Sequence, residues 1–191
     1  KDFFEALIGR IDSFVTESQS GQPKVIDFRE PTDLAASLNL DLPQSGRGEE
    51  EALRAADLYL RHCVRTAHPQ FVNPLWAGFS TPGVAGELLA AATNTSIYTY
   101  EVAPVATLME QKVIRTLLDM AGFNDGDGIF LTGGSNANLV AMLSARHHAF
   151  PDVRTRGLCD GTDQRPVIMI SDQAHYSFGK AANVLGLGTA N

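Results

Sequence analysis

Cysteine is scarce in this chain, and so is anything that would assemble a metal site. Cys63 and Cys159 have no ligand-like spacing, and the HExxH and CxxC patterns are both missing. No metal is expected, and the two cysteines read as reduced, buried thiols rather than a bridge. Positive charge is also in deficit, with 15 Lys and Arg against 22 Asp and Glu for a net charge of −7. That balance gives no support to nucleic-acid or anionic-membrane binding, which call for a basic patch. No apolar run approaches the ~20 residues of a membrane helix, and no signal-peptide pattern opens the chain. A cytoplasmic protein is the expectation. Nucleotide signatures are missing too. Gly133-Gly134-Ser135 is neither a Walker A loop, a GxGxxG fingerprint nor a GxSxG elbow.

What remains is an ordinary globular composition, 44% hydrophobic over 191 residues, enough to bury a good core. The chain begins at Lys1 without a methionine and stops just after a helix-like segment. It is therefore expected to be the N-terminal part of a longer protein, or one half of a chain cut in two.

The first half reads as helices and linkers. Phe3, Phe4, Leu7, Ile8, Ile11, Phe14 and Val15 recur at spacings of three and four, predicting an amphipathic helix over residues 2–18. Residues 19–31 read as a linker, and 31–42 as ambiguous, with room for a short helix after Asp33. Leu53, Ala56, Leu60 and Val64 predict a second amphipathic helix over 49–65. From His68 to Phe79, two prolines and three aromatics rule out a regular helix. Such a segment serves as a core plug or as the wall of a site, the plug being the safer reading. A third helix is expected over 83–96, with Leu88 and Leu89 inward, broken at Thr93-Asn94-Thr95-Ser96. Residues 97–100 read as a loop.

The second half alternates. Glu101 to Ala121 carries the longest helical pattern, with Gly122 placed as its stop. A short apolar segment, Ile129-Phe130-Leu131, runs into Gly133-Gly134-Ser135 and then a helix that Pro151 ends. Residues 151–165 read as polar loop. Val167-Ile168-Met169-Ile170 suits a strand buried on both faces, followed by the Asp172–His175 loop and a helix over 176–187. This order argues for an α/β fold, a mainly parallel sheet flanked by helices. Ligands in such sheets sit beyond the C-terminal strand ends, where the glycine turn and the Asp172–His175 loop both fall. A helix beginning at paired glycines offers unpaired N–H groups and a positive dipole end to an anion such as phosphate. Ser135 also fits an ordinary N-cap. His175 reads either as a hydrogen-bonded structural histidine or as an imidazole beside a bound ring or carbonyl. His147 and His148 fall in a last helical turn, where cations are mildly favoured, and His62 is expected on a helix surface.

Several ordered motifs now converge. His68-Pro69-x-Phe71 comes first, then Asn94-Thr95-x-x-Tyr98 through Val105 with Glu110. Gly128-Ile129-Phe130 through Asn138 and Ser171-Asp172-x-Ala174-His175-x-Ser177 complete the set. Together they resemble the group II pyridoxal-phosphate-dependent amino-acid decarboxylases, which include the glutamate, cysteine-sulfinate, 2,4-diaminobutyrate and aromatic amino-acid enzymes. The resemblance covers roughly residues 50–191. It implies fold type I, the aspartate-aminotransferase-like large domain, and a homodimer with sites at the subunit interface. Residues 1–65 would form a helical, dimer-packing segment and 66–191 the first part of the cofactor-binding domain.

By position, the resemblance implies that Gly134 and Ser135 hold the phosphate of pyridoxal 5'-phosphate, with Asn136 as a further contact. It implies that His175 stacks on the pyridine ring, and that Phe71 and Asn73 face the amino-acid substrate. The lysine that carries the cofactor as a Schiff base and the aspartate opposite the ring nitrogen would both lie downstream of His175. Lys180 is not a candidate for the lysine, and this stretch alone is expected to be inactive. Glutamate decarboxylases tend to read Asn-Gln-Leu-Ser-Thr-Gly where this chain reads Asn73-Pro74-Leu75-Trp76-Ala77-Gly78. An acidic amino acid remains the first expectation, with diaminobutyrate and aromatic substrates open. The alternatives are a fold type I aminotransferase and a non-catalytic association domain.

Overall fold

The computed structural model describes residues 2–38, 40–158 and 166–190. They fall into two compact units, the first running to Ser96 and the second beginning at Ile97.

The first unit holds α1 (Asp2–Gln19), α2 (Pro31–Ser37), α3 (Gly48–His62) and α4 (Thr81–Thr93). Helix α1 packs on α3, and Arg65 ties the pair at one end. Its guanidinium donates to the Phe14 carbonyl at 3.3 Å and to Ser18 Oγ at 3.0 Å, and lies 4.6 Å from the Phe14 ring centre. Ser18 is fully buried, so its hydroxyl needs these partners; an unmade bond there would cost about 1–3 kcal/mol. Arg10 and Asp57 bridge the same two helices at 2.8 Å.

Several expectations shift here. Helix α3 stops at His62 rather than 65, and His62 is half-buried with Nδ1 enclosed and unpartnered, not a surface residue. Cys63 is free and half-buried, whereas Cys159 lies outside the described residues. A hydrogen bond to Cys63 pushes the Tyr59 phenol above its ordinary pKa. Helix α2 starts at Pro31, because proline suits the first turn where no N–H partner is needed. Helix α4 starts at Thr81 for the same reason, Pro82 following, and ends at Asn94 in the left-handed region. Leu88 and Leu89 are not inward; they are 46% and 68% exposed.

The second unit holds α5 (Pro104–Ala121), α6 (Gly134–Ala149), α7 (Val153–Arg156) and α8 (Ser177–Val184). Helix α5 begins at Pro104 rather than Glu101 and is closed by Gly122, as expected. The core of the unit is the α6–α8 contact, where Met142, Ala181, Ala182, Leu185 and Leu187 are buried against Leu139, Leu143, Leu158, Ile168 and Phe178. Each large apolar side chain fully buried there contributes about 1.5–3 kcal/mol. Helix α8 stops short of the expected 187 because Gly186 turns into the left-handed region at φ 71, with Leu187 N–H donating back to the Ala182 carbonyl at 2.9 Å, and Arg146 of α6 donates to the Leu185 carbonyl at 2.8 Å. Helix α7 lies inside the stretch expected as loop, as a single turn after Asp152, while 159–165 lie outside the described residues.

The expected parallel sheet does not form among the described residues, which contain no strand. Residues 129–131 and 167–170 run without ladder pairing, and Ile129, Phe130, Val167, Met169 and Ile170 are all more than half exposed. A parallel strand is stable only when neighbours satisfy its N–H and C=O groups and helices cover its faces. Neither condition is met for these two segments.

Candidate functional site

The start of α6 is uncapped and carries no negative charge. Gly133 is its N-cap, at φ 147 and ψ 166, a region essentially restricted to glycine. Ser135 is therefore not the N-cap; it sits inside the first turn. No side chain caps the helix, and its first turn contains no acidic residue. The first intrahelical bond runs from Ala137 N–H to the Gly133 carbonyl at 3.0 Å. The N–H groups of Gly134, Ser135 and Asn136 precede it and point out of the helix end, where the dipole adds positive potential. Among the described residues, nothing beyond the adjoining backbone lies within 4 Å of where a Cβ on Gly133 or Gly134 would stand. Asn136 Nδ2 donates back to Thr132 Oγ1 at 3.2 Å and braces the turn from its flank.

The histidine loop meets this helix one turn further on. Ser171 folds the loop, its carbonyl accepting from Ala174 N–H at 3.0 Å and its hydroxyl from Gln173 N–H at 3.1 Å. His175 follows, with Nδ1 2.9 Å from Ser177 Oγ and 3.3 Å from Ser177 N–H. Ser177 is 2% exposed, and its oxygen accepts from Asn138 Nδ2 of α6 at 2.8 Å. Tyr176 lies against the imidazole at 4.2 Å between ring centres, tilted by 37°. Lys180 stands 4.6 Å over the Tyr176 ring, a cation–π contact on an exposed helix face.

Phe71 and Asn73 belong to the first unit, on a loop that closes on itself. Phe79 N–H donates to the Thr66 carbonyl at 3.2 Å, joining the two ends. Gly78 permits that closure, since a Cβ there would stand 2.5 Å from Thr66 O. Inside the loop, His68 is 4% exposed, and its Nδ1 accepts from Gln70 N–H at 3.0 Å. The Phe71 and Trp76 rings pack at 5.1 Å, and Asn73 Oδ1 accepts from Leu75 N–H at 2.8 Å. This compact, self-packed loop suits a recognition element. In the second unit, the Thr99 hydroxyl and its own backbone N–H hold the Glu101 carboxyl below the usual range.

Gly134, Ser135, Asn136 and His175 are thus brought into one unit and joined through Asn138 and Ser177. Phe71 and Asn73 share the closed loop of the other. The motifs contained Asn138 and Ser177, but sequence reasoning gave them no role. Nothing in a linear pattern signals a hydrogen bond across 39 positions.

Compared with known proteins, residues 31–190 match the pyridoxal-dependent decarboxylase conserved domain. The cysteine sulfinic acid decarboxylase of Homo sapiens is 38% identical over 179 residues, which cover 94% of this chain and 36% of that one. The glutamate decarboxylase of Drosophila melanogaster is 38% identical over 189 residues, covering 99% and 37% respectively. The crystal structure of mouse CSAD superposes with a TM-score of 0.91 at 36% identity, covering 99% of this chain and 40% of that one. This chain therefore spans little more than a third of the length of the relatives it matches.

Proposed function

The chain belongs to the pyridoxal-dependent decarboxylase family, and from that premise we propose that the complete protein removes CO2 from an acidic L-amino acid. The product would be the corresponding amine. The observation that carries this reading is the uncapped start of α6, joined to the His175 loop by the Asn138–Ser177 hydrogen bond.

The residues present fit pyridoxal 5'-phosphate. Gly134 and Ser135 would receive its phosphate on their N–H groups, with the Ser135 hydroxyl and Asn136 as further donors; the open space at both glycines admits a bulky anion. Tyr176 covers one face of the imidazole, so a pyridine ring would stack on the other. When bound, the cofactor supplies an electron sink for the pair left behind as CO2 departs. The chain's own part is to anchor the phosphate, orient the ring and hold a proton on His175 Nε2. Phe71 and Asn73 would face the substrate from their closed loop. Lys180, whose ammonium lies 4.6 Å over the Tyr176 ring, is given no Schiff-base role in this reading.

The same reading places residues 129–131 and 167–170 in a mainly parallel, fold type I sheet of the complete domain. Their exposed apolar side chains and the mouse CSAD likeness support it. It makes the protein a homodimer, with α1, whose Phe4 is 69% exposed, packing on the partner. It assigns residues 1–65 to that packing role and 66–191 to the cofactor domain, in the cytoplasm, where a free Cys63 suits a reducing milieu.

The test is CO2 release by the full-length protein from glutamate, aspartate, cysteine sulfinate, diaminobutyrate and aromatic amino acids. Release from an acidic substrate is expected. If none releases CO2 while amino transfer to a keto acid proceeds, the decarboxylase reading fails.

A further inference from the structure

We infer that Asn138 and Ser177 are positioning residues that fix the tautomer of His175, leaving Nδ1 bare and the ring proton on Nε2. The inference rests on the proposed role of His175 beside the cofactor ring.

Three hydrogen bonds of one network agree on the direction of every proton. Ser177 N–H can only donate, and it points at His175 Nδ1 from 3.3 Å. Nδ1 must then be an acceptor, and a neutral imidazole carries its proton on the other nitrogen. The Asn138 amide donates to Ser177 Oγ at 2.8 Å, filling a lone pair of that oxygen. The hydroxyl proton of Ser177 is left to complete the 2.9 Å contact with Nδ1. Ser177 is 2% exposed, so water does not compete for its hydroxyl. The relay is one-way, from Asn138 through Ser177 to His175.

The consequence for chemistry is definite. Nδ1 is occupied by donors from its own chain, and Nε2–H is the only ring position able to give a hydrogen bond. The order of the network also ties the orientation of the imidazole to α6, whose first turn would hold the phosphate. One helix thereby sets both the anchor of the cofactor and the hand of the ring against it.

Histidine-selective nitrogen-15 spectra of the full-length protein, with His175→Gln as the difference control, read the tautomer directly. The wild-type ring should show one protonated and one bare nitrogen, with the proton on Nε2. Ser177→Ala removes the hydroxyl donor. Asn138→Asp keeps the size of the side chain but turns it into an acceptor, which draws the Ser177 proton away from Nδ1. Each should weaken the preference for the Nε2–H form by about fivefold, the worth of one hydrogen bond. If Ser177→Ala fails to fold, the equal-sized Asn138→Asp carries the test. A proton found on Nδ1 in the wild type would overturn the inference, as would spectra that neither substitution changes. Titrating the same apo-proteins with pyridoxal phosphate keeps the two readings apart. A fixed tautomer without pyridoxal phosphate binding defeats the proposed function alone, and binding without a fixed tautomer defeats this inference alone.

Discussion

Two adjacent glycines at the head of α6 should respond to alanine in opposite ways. Gly133 stands at φ 147, ψ 166, where an L-residue is strained by about 1–3 kcal/mol. Among the described residues its Cβ would meet nothing beyond the adjoining backbone within 4 Å, so the penalty is torsional. Gly134 is the first helical residue, its Cβ direction equally open, so alanine fits the backbone it already has. That change should stabilise by about 0.4–1 kcal/mol, by restricting the unfolded chain. The reporter is the Ala137 amide, whose bond to the Gly133 carbonyl closes the first turn. In hydrogen–deuterium exchange on the full-length apo-protein, Gly133→Ala should speed its exchange by about 5- to 150-fold. Gly134→Ala should slow it by about 2- to 5-fold. Cofactor binding should separate from order, because the Gly134→Ala methyl enters the space assigned to the phosphate. The better-ordered variant would bind pyridoxal phosphate more weakly. Unchanged exchange in Gly133→Ala would refute the positive-φ argument, and undiminished binding by Gly134→Ala would remove the phosphate from this helix end.

Ser135→Asp should likewise split order from binding. A carboxylate in the first turn favours the helix by about 0.3–1 kcal/mol, yet it repels the phosphate and should cost at least about tenfold in pyridoxal phosphate affinity by titration. Gly78→Ala should open the loop over 66–79, since the methyl would collide with the Thr66 carbonyl at 2.5 Å; faster proteolysis there reads the effect, and an unaltered rate contradicts it. Thr99→Val removes the leading cause of the lowered Glu101 pKa. In the wild type, the stabilisation from that ionised carboxyl is present above its unfolded pKa and fades as pH falls through the lower folded value. The variant should titrate Glu101 nearer the ordinary value by carbon-13 NMR, and an unmoved titration would exclude the hydroxyl as cause.

The helices were legible because their apolar periodicity is local. Expected and observed ends of α1 differ by a single residue, Gln19. Both helix starts turn on a proline, which favours the first turn: the expected start at 83 falls after Pro82, whereas α4 includes it, and the expected start at Glu101 runs through Pro104, whereas α5 begins there. The expected strands are absent among the described residues, for a strand is a relation between segments, and Val167–Ile170 carries only its own half of one. Of the candidate site, the glycine turn was legible from paired glycines ahead of a helical pattern, and His175 from its loop after an apolar run and from the family resemblance. The Asn138–Ser177 bond did not, because it depends on how α6 and α8 pack. His62 was misjudged for a similar reason: a helix end is buried by whatever crosses it, and nothing in the chain's local pattern says what does.

The loop closed by Thr66 and Phe79 also has a consequence for the timing of assembly. Its internal bonds, from the Gln70 and Phe71 N–H groups to His68 and from Leu75 N–H to Asn73, all lie within the span that it closes. A loop of this length can find its closure in well under a microsecond. Synthesis proceeds at roughly 5–20 residues per second, so Gly133 leaves the ribosome about 3–10 s after Phe79. The side chains proposed to meet the substrate can therefore be set before the phosphate anchor has been made. A nascent chain halted between the two would hold the residues of the closed loop, with Val72 and Leu75 each 88% exposed, and not yet the start of α6.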